Sequence, residues 1–217
     1  MRYVLGVDEV HRGSLVGPVF AGACLLKFGQ VIDGATDSKK LREDARYSIL
    51  EKIKNEAIAS ACAHATHAEI DSVNIKTATK MAMLRAIQAI VDSRLIPRDA
   101  DLEIIIDGNE IFDFDDLDGE SAIFTMEMMN TAAAIRSALY EWPRIESVVK
   151  ADLTCTAASC ASIVAKCEAD RWLSSHVEAE KFDWKNNHGY ATKAHADLIR
   201  KHGKPSIYRE SFKLPGS

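Results

Sequence analysis

Three apolar stretches of this chain finish on acids. Residues 4–7 run into the adjacent pair Asp8 and Glu9, residues 104–106 run into Asp107, and the strand-like RIESVVKAD ends on Asp152. Where such stretches are neighbouring parallel strands, their C-terminal ends share one edge of a sheet, the edge at which α/β proteins hold ligands. Four carboxylates gathered there repel one another and need an offsetting charge. The economical partner is a divalent cation. Mg2+ takes oxygen ligands, keeps several waters, and is usually held by one or two carboxylates together with substrate phosphate. Two such ions about 3.5–4 Å apart form a clamp for in-line displacement at a phosphodiester. An acid at a strand end also serves simply as a turn or cap residue, most plainly Asp107 before Gly108 and Asn109. Spacing alone leaves both readings open.

The elements that must position these acids alternate along the chain. Strands are expected at 2–8, 17–28, 58–70, 101–109 and 144–152. Helices are expected at 41–56, 74–95, 120–140, 155–180 and 192–203, the last stopped by Gly203 and Pro205. Early hairpin-like strands followed by strand–helix alternation predict an α/β domain with a mixed sheet. The small residues Ala157, Ala158, Ala161 and Ala165 give the long helix a face able to pack closely on that sheet.

The 217 residues suit a single domain, 1–217, with a real core. No apolar run is long enough for a membrane span, and the N-terminus does not read as a signal peptide. Five cysteines in apolar or small-residue settings read as reduced thiols of a cytoplasmic protein; Cys155, Cys160 and Cys167 lack zinc-finger spacing. Net charge is −5, but residues 99–120 are strongly acidic while residues 181–213 hold eight Lys/Arg against three acids. A basic end on an acidic body suits phosphates at one side and cations at the other; a merely solvated tail fits the same charges.

The segments GVDEVHRGSLVGPV, TDSKKL, IIIDGN, VVKAD with AASCASIVAK and DR, and HGYATKAH with IYRESF occur in this order between about residues 3 and 213. Together they resemble ribonuclease HII, the type 2 ribonuclease H family. The resemblance implies an RNase H-like fold, a mixed five-stranded sheet flanked by helices, with a helical C-terminal region at about 181–213 that helps hold substrate. It implies hydrolysis of the RNA strand of RNA–DNA hybrids and cutting 5′ of ribonucleotides embedded in DNA, with Mg2+ or Mn2+, leaving 3′-hydroxyl and 5′-phosphate ends. The partners are then the RNA–DNA hybrid duplex and DNA containing single ribonucleotides, with no membrane, and the protein is expected as a monomer. The resemblance makes Asp8, Glu9, Asp107 and Asp152 the catalytic, metal-binding carboxylates.

The same resemblance assigns the substrate contacts. The family's Gly-Arg-Gly loop, which reads the 2′-hydroxyl, is here His11-Arg12-Gly13. Tyr190 matches a tyrosine that stacks near the RNA–DNA junction. Ser38, Lys39 and Lys40, just before a helix, suit phosphate, and Lys166, Arg171, Lys193 and Arg209 are further phosphate candidates. The chain departs from the pattern at His11, at Ala191, at Thr154 and Thr156, and in the extra material between Asp107 and Asp152, which includes the acidic FDFDDLDGE. If φ at position 11 is positive, histidine pays there for a glycine's conformation, and its ring is expected to crowd the ribose. Two other classes of function remain to be weighed: a hybrid-binding module impaired in catalysis, and an actin-like ATPase or sugar kinase, whose first strand also ends in a G-x-D pattern.

Overall fold

The computed structural model describes residues 1–108, 126–139 and 143–216. The acidic stretch between Asp107 and Asp152 lies outside them, as do the first residues of the helix expected at 120–140. Five strands form one mixed sheet in the order β3-β2-β1-β4-β5. They are β1 (Arg2–Val10), β2 (Val19–Lys27), β3 (Ala59–Ala65), β4 (Asp101–Asp107) and β5 (Arg144–Val148). β1, β2 and β3 pair antiparallel, and β1, β4 and β5 pair parallel. Hairpin chemistry thus builds one half of the sheet and helical crossovers the other, as expected from the element order.

Helices cover both faces. α3 (Ile75–Asp92) and α4 (Met126–Ala138) belong to the larger core, with Leu5, Val7, Leu25, Ile104 and Ile106 beneath them. α1 (Glu43–Glu56) and α6 (Thr156–Ser174) cover the opposite face over Val4, Cys24 and Leu26. The small-residue face of α6 does what its composition predicts. A Cβ at Gly6 would stand 2.1 Å from the Ala157 carbonyl carbon, and one at Gly22 would stand 2.1 Å from the Ala161 carbonyl oxygen. Only glycine lets the helix backbone come this close. A smaller cluster, with Leu15, Leu173, Phe182, Trp184, Ile199 and Tyr208, joins α6 to α7 (Trp184–Asn187) and α8 (Lys193–His202).

The helix expected at 155–180 ends at Ser174, and two further boundaries differ from expectation. The strand expected at 58–70 ends at Ala65, and α2 (His67–Val73) follows. Thr66 and Glu69 form a capping box that starts this helix. Asn74, at φ 74°, then ends α2, and its side chain accepts from the backbone N–H groups of Lys76 and Thr77 to start α3. The second difference concerns an acid. β5 stops at Val148, Lys150 turns the chain at φ 59°, and Asp152 lies on the short helix α5 (Ala151–Thr154) rather than at a strand end.

Candidate active site

The parallel pairing that sets Val7 opposite Ile106 brings Asp8 and Asp107 together one residue further on. Asp8 shares the face of Gly6, toward α6, while Glu9 alternates to the other side. Asp8 is buried; its Oδ1 accepts from the Glu9 backbone N–H at 2.7 Å. Burial first, and then the charges of Glu9 and Asp107, push its pKa up to about 8 against the lowering effect of the Ser162 hydroxyl. Asp107 Oδ1 accepts from Ala151 N at 2.7 Å, which ties the end of β4 to the first turn of α5 and brings Asp152 to the same corner. Asp152 is itself buried.

The structure therefore brings Asp8, Glu9 and Asp107 to one sheet edge and sets Asp152 beside them on α5. Among the described residues, no group of three or more histidine, cysteine or acidic side chains is drawn together tightly enough to hold a metal ion. The donor set is that of a hard cation, since every candidate ligand is a carboxylate. Burial does most to lift the pKa of Asp8, and the neighbouring charges of Glu9 and Asp107 add to it; a divalent cation would offset both.

A cleft of about 450 Å³ opens next to Glu9, lined by Val10, His11, Arg12, Gly13, Ser38, Lys166 and Tyr190. Most of the expected substrate contacts thus share one cavity, although the stretches that supply them are far apart in sequence. Gly13 faces the Tyr190 ring, 3.7 Å from where its Cβ would be. The ring itself is exposed. Arg12 Nη1 lies 3.6 Å from Glu9 Oε1. Ser38, Lys39 and Lys40 form one 3-10 turn ahead of α1. The Ser38 hydroxyl is buried on the Ser162 hydroxyl at 2.8 Å, and Lys40 is exposed outside the cleft.

His11 has φ 64°, the left-handed conformation that a glycine adopts freely. The cost to a residue with a Cβ is about 1–2 kcal/mol, and histidine bears it better than most. Its imidazole does not crowd the cleft as expected. It is 2 % exposed and turns inward between the edges of Phe20 and Tyr190, with Nε2 3.5 Å from Asp170 Oδ1. Burial lowers its pKa, partly offset by Asp170.

Two residues of the site carry roles the sequence did not mark. Arg209, a phosphate candidate in the sequence, is fully buried. Its guanidinium donates to the carbonyl oxygens of His11, Arg12, Gly17 and Pro18 at 2.8–3.0 Å, holding the β1–β2 loop from behind. His195 is also fully buried; its Nε2 accepts from Trp184 Nε1 at 3.1 Å, and its Nδ1 meets the Tyr190 carbonyl oxygen at 3.0 Å. That leaves Nδ1 as the protonated nitrogen of a neutral ring, positioned to fix the peptide of Tyr190.

The sheet order and its flanking helices are those of the ribonuclease H fold. The chain is similar in structure to ribonuclease H2 from Pyrococcus horikoshii OT3, with a TM-score of 0.66 at 22% identity, covering 98% of this chain and 94% of that one. It is similar also to Bst-RNase HIII in complex with Mn2+, with a TM-score of 0.64 at 20% identity, covering 98% of this chain and 67% of that one. In sequence, it is 34% identical over 208 residues to ribonuclease HII of Polaromonas sp., covering 95% of this chain and 87% of its relative. The sequence model of the ribonuclease HII family matches residues 5–214. This chain belongs to the ribonuclease HII family.

Proposed function

We propose that this chain is an endoribonuclease that hydrolyses the RNA strand of RNA–DNA hybrids and cuts 5′ of ribonucleotides embedded in duplex DNA, leaving 3′-hydroxyl and 5′-phosphate ends. The observation that carries the reading is the acid-bearing sheet edge opening directly, through Glu9, onto a cleft lined by residues 11–13 and Tyr190. Membership of the ribonuclease HII family supports it.

Asp8, Glu9, Asp107 and Asp152 are the residues that would hold Mg2+ or Mn2+. When bound, such cations offset the charge of the scissile phosphate and lower the pKa of the attacking water. The rest of the work is positioning by the chain itself. The bond from Ala151 N–H to Asp107 keeps Asp152 beside the strand ends. The 2′-hydroxyl is the local handle that separates RNA from DNA. The backbone of residues 11–13 is placed to read it, with no side chain on Gly13 to block approach. Tyr190 offers a flat ring to the deoxyribose side of the junction. Ser38, Lys39 and Lys40 belong on the side of the backbone phosphates. The helical region at about 181–213 carries Tyr190 and completes the substrate side. Five free cysteines favour a reducing compartment, the cytoplasm, and a single copy of the chain supplies every residue invoked.

The test is cleavage of two labelled duplexes with Mg2+ and with Mn2+. One carries a single ribonucleotide in DNA, and the other is a continuous RNA–DNA hybrid. Cutting of both, lost by about 10³-fold or more in Asp107→Asn, is expected. Binding of the hybrid without cutting under either metal would replace this reading with that of a hybrid-binding module.

A further inference from the structure

Behind the cleft sits a buried carboxylate to which the ribonuclease reading gives no task. Asp170, on α6, is 6 % exposed. Its Oδ1 accepts from Lys166 Nζ at 2.7 Å and lies 3.1 Å from His188 Nδ1 and 3.5 Å from His11 Nε2. Its Oδ2 accepts from Arg46 Nη2 at 3.2 Å. Arg46 passes the connection on, donating to the carbonyl oxygens of Ser38 at 3.3 Å and Leu41 at 2.8 Å. One anion thereby reaches three separate segments: loop 11–13 through His11, the Ser38–Lys40 turn through Arg46, and residues 188–190 through His188. Each segment carries an expected substrate contact. Burial opposes the charge on Asp170, yet the surrounding donors and cations hold its carboxyl well below the usual range. Buried ion networks of this kind add little net stability, and their best-attested use is to specify one arrangement among several.

The link to loop 11–13 exists only because position 11 carries a side chain. A glycine there would take the same φ without reaching α6. We propose that Asp170 is a positioning residue that holds the three substrate-reading segments in mutual register. In this scheme the His11–Asp170 contact sets the preference for isolated ribonucleotides over continuous RNA. The inference rests on the ribonuclease reading and deepens it. A lone ribonucleotide offers one 2′-hydroxyl at one register, so a displaced loop loses the whole contact. A continuous hybrid offers neighbours.

The experiment measures kcat and KM on the two duplexes for the wild type, Asp170→Asn, His11→Gly and the double variant, with thermal melts alongside. Asp170→Asn is expected to raise KM on the single-ribonucleotide duplex by about tenfold and on the hybrid by about threefold or less. His11→Gly is expected to shift the same ratio in the same direction, and the double variant to shift it no further than Asp170→Asn does. Equal losses on both duplexes, or fully additive shifts, would overturn the inference. Should Asp170→Asn fail to fold, His188→Gln, at a partly exposed side chain, severs one link alone. It is expected to move the ratio by about two- to threefold, and an unmoved ratio overturns the inference. A wild type that cuts neither duplex defeats the ribonuclease reading itself, a failure visible before any variant is compared.

Discussion

Arg209 donates from Nη2 to the carbonyl oxygen of His11 at 2.9 Å, joining residues 198 positions apart. Three more carbonyls, those of Arg12, Gly17 and Pro18, accept from the same buried guanidinium. No side chain but arginine presents so many donors in one plane. Arg209→Ala leaves these carbonyls without their partner and is expected to cost about 3–5 kcal/mol of stability. Arg209→Lys recovers only part of that, because an ammonium cannot span the same acceptors. Urea denaturation gives the stability, and the single-ribonucleotide duplex reports the loosened loop as a raised KM. A loss within about 0.5 kcal/mol would show that the loop holds itself.

Asp8 sets a pH dependence of the metal-free protein. Its folded pKa of about 8 lies above its ordinary value of 3.8. The folded state therefore binds the proton more tightly than the unfolded chain. The associated stability is fully present below pH 3.8 and is lost as pH rises through about 8. Asp8→Asn, which cannot ionise, is expected to be more stable than the wild type at pH 8 by about 2–4 kcal/mol without metal, with the gap closing toward pH 4. The variant should cut neither duplex. Paired melts in chelator across this range check it, and a gap independent of pH contradicts it.

The opposite sign holds for His195. Burial lowers its pKa below 6.5, and the neutral ring is what the Trp184 and Tyr190 bonds require. The stability it contributes is present above pH 6.5 and is lost as pH falls below that value. His195→Phe keeps the bulk but strands the Trp184 N–H and the Tyr190 carbonyl, at a cost of about 2–3 kcal/mol at pH 7.5. The wild type should lose more stability than this variant between pH 7.5 and 5.5. Identical slopes in a pH series of denaturation curves would exclude the assigned role.

Gly22 pairs with Asp8 across β1 and β2 and sits under the Ala161 carbonyl. The atoms a Cβ would meet belong to helix backbone and cannot rotate away. Gly22→Ala is expected to destabilise the fold by about 1–3 kcal/mol or more. It should also lift α6 away from Asp8 at the level of Ser162, so cleavage slows even where the protein remains folded. Unchanged melting and unchanged rates would mean that the seam has slack.

These cases show where the sequence was readable. Asp8, Glu9 and Asp107 were visible because a short apolar run that stops on an acid is a local signal. Asp152 was legible as a fourth acid but misplaced, since nothing local announces the left-handed Lys150 that ends the strand early. The capping box of Thr66 and Glu69 was present in THAE and was overrun by the strand-like alternation before it. α7 has only four residues and no period to detect. Asp170 stood inside the DR segment with no role attached, and Arg209 was read as a phosphate contact rather than as the staple of the β1–β2 loop. Lys166 is one helical turn from Asp170, but the partners that give Asp170 and Arg209 their roles lie on other elements, 124 positions away for Arg46 with Asp170, and no spacing rule spans that distance.

The staple from Arg209 to the β1–β2 loop also governs the order in which the molecule can become active. Strands β1 and β2 can zip together early as a hairpin, but β1 must wait for β4, about a hundred positions later, as the Arg2–Glu103 ion pair illustrates. Contacts of such long separation form slowly, because loop closure precedes any gain from them. The β1–β2 loop receives its four bonds from Arg209 only when the segment carrying that residue docks. A partly folded chain can therefore own its acids and its sheet and still lack a fixed β1–β2 loop, so on the proposed function an incompletely docked C-terminal segment would leave the acids in place and the reading of the sugar undone.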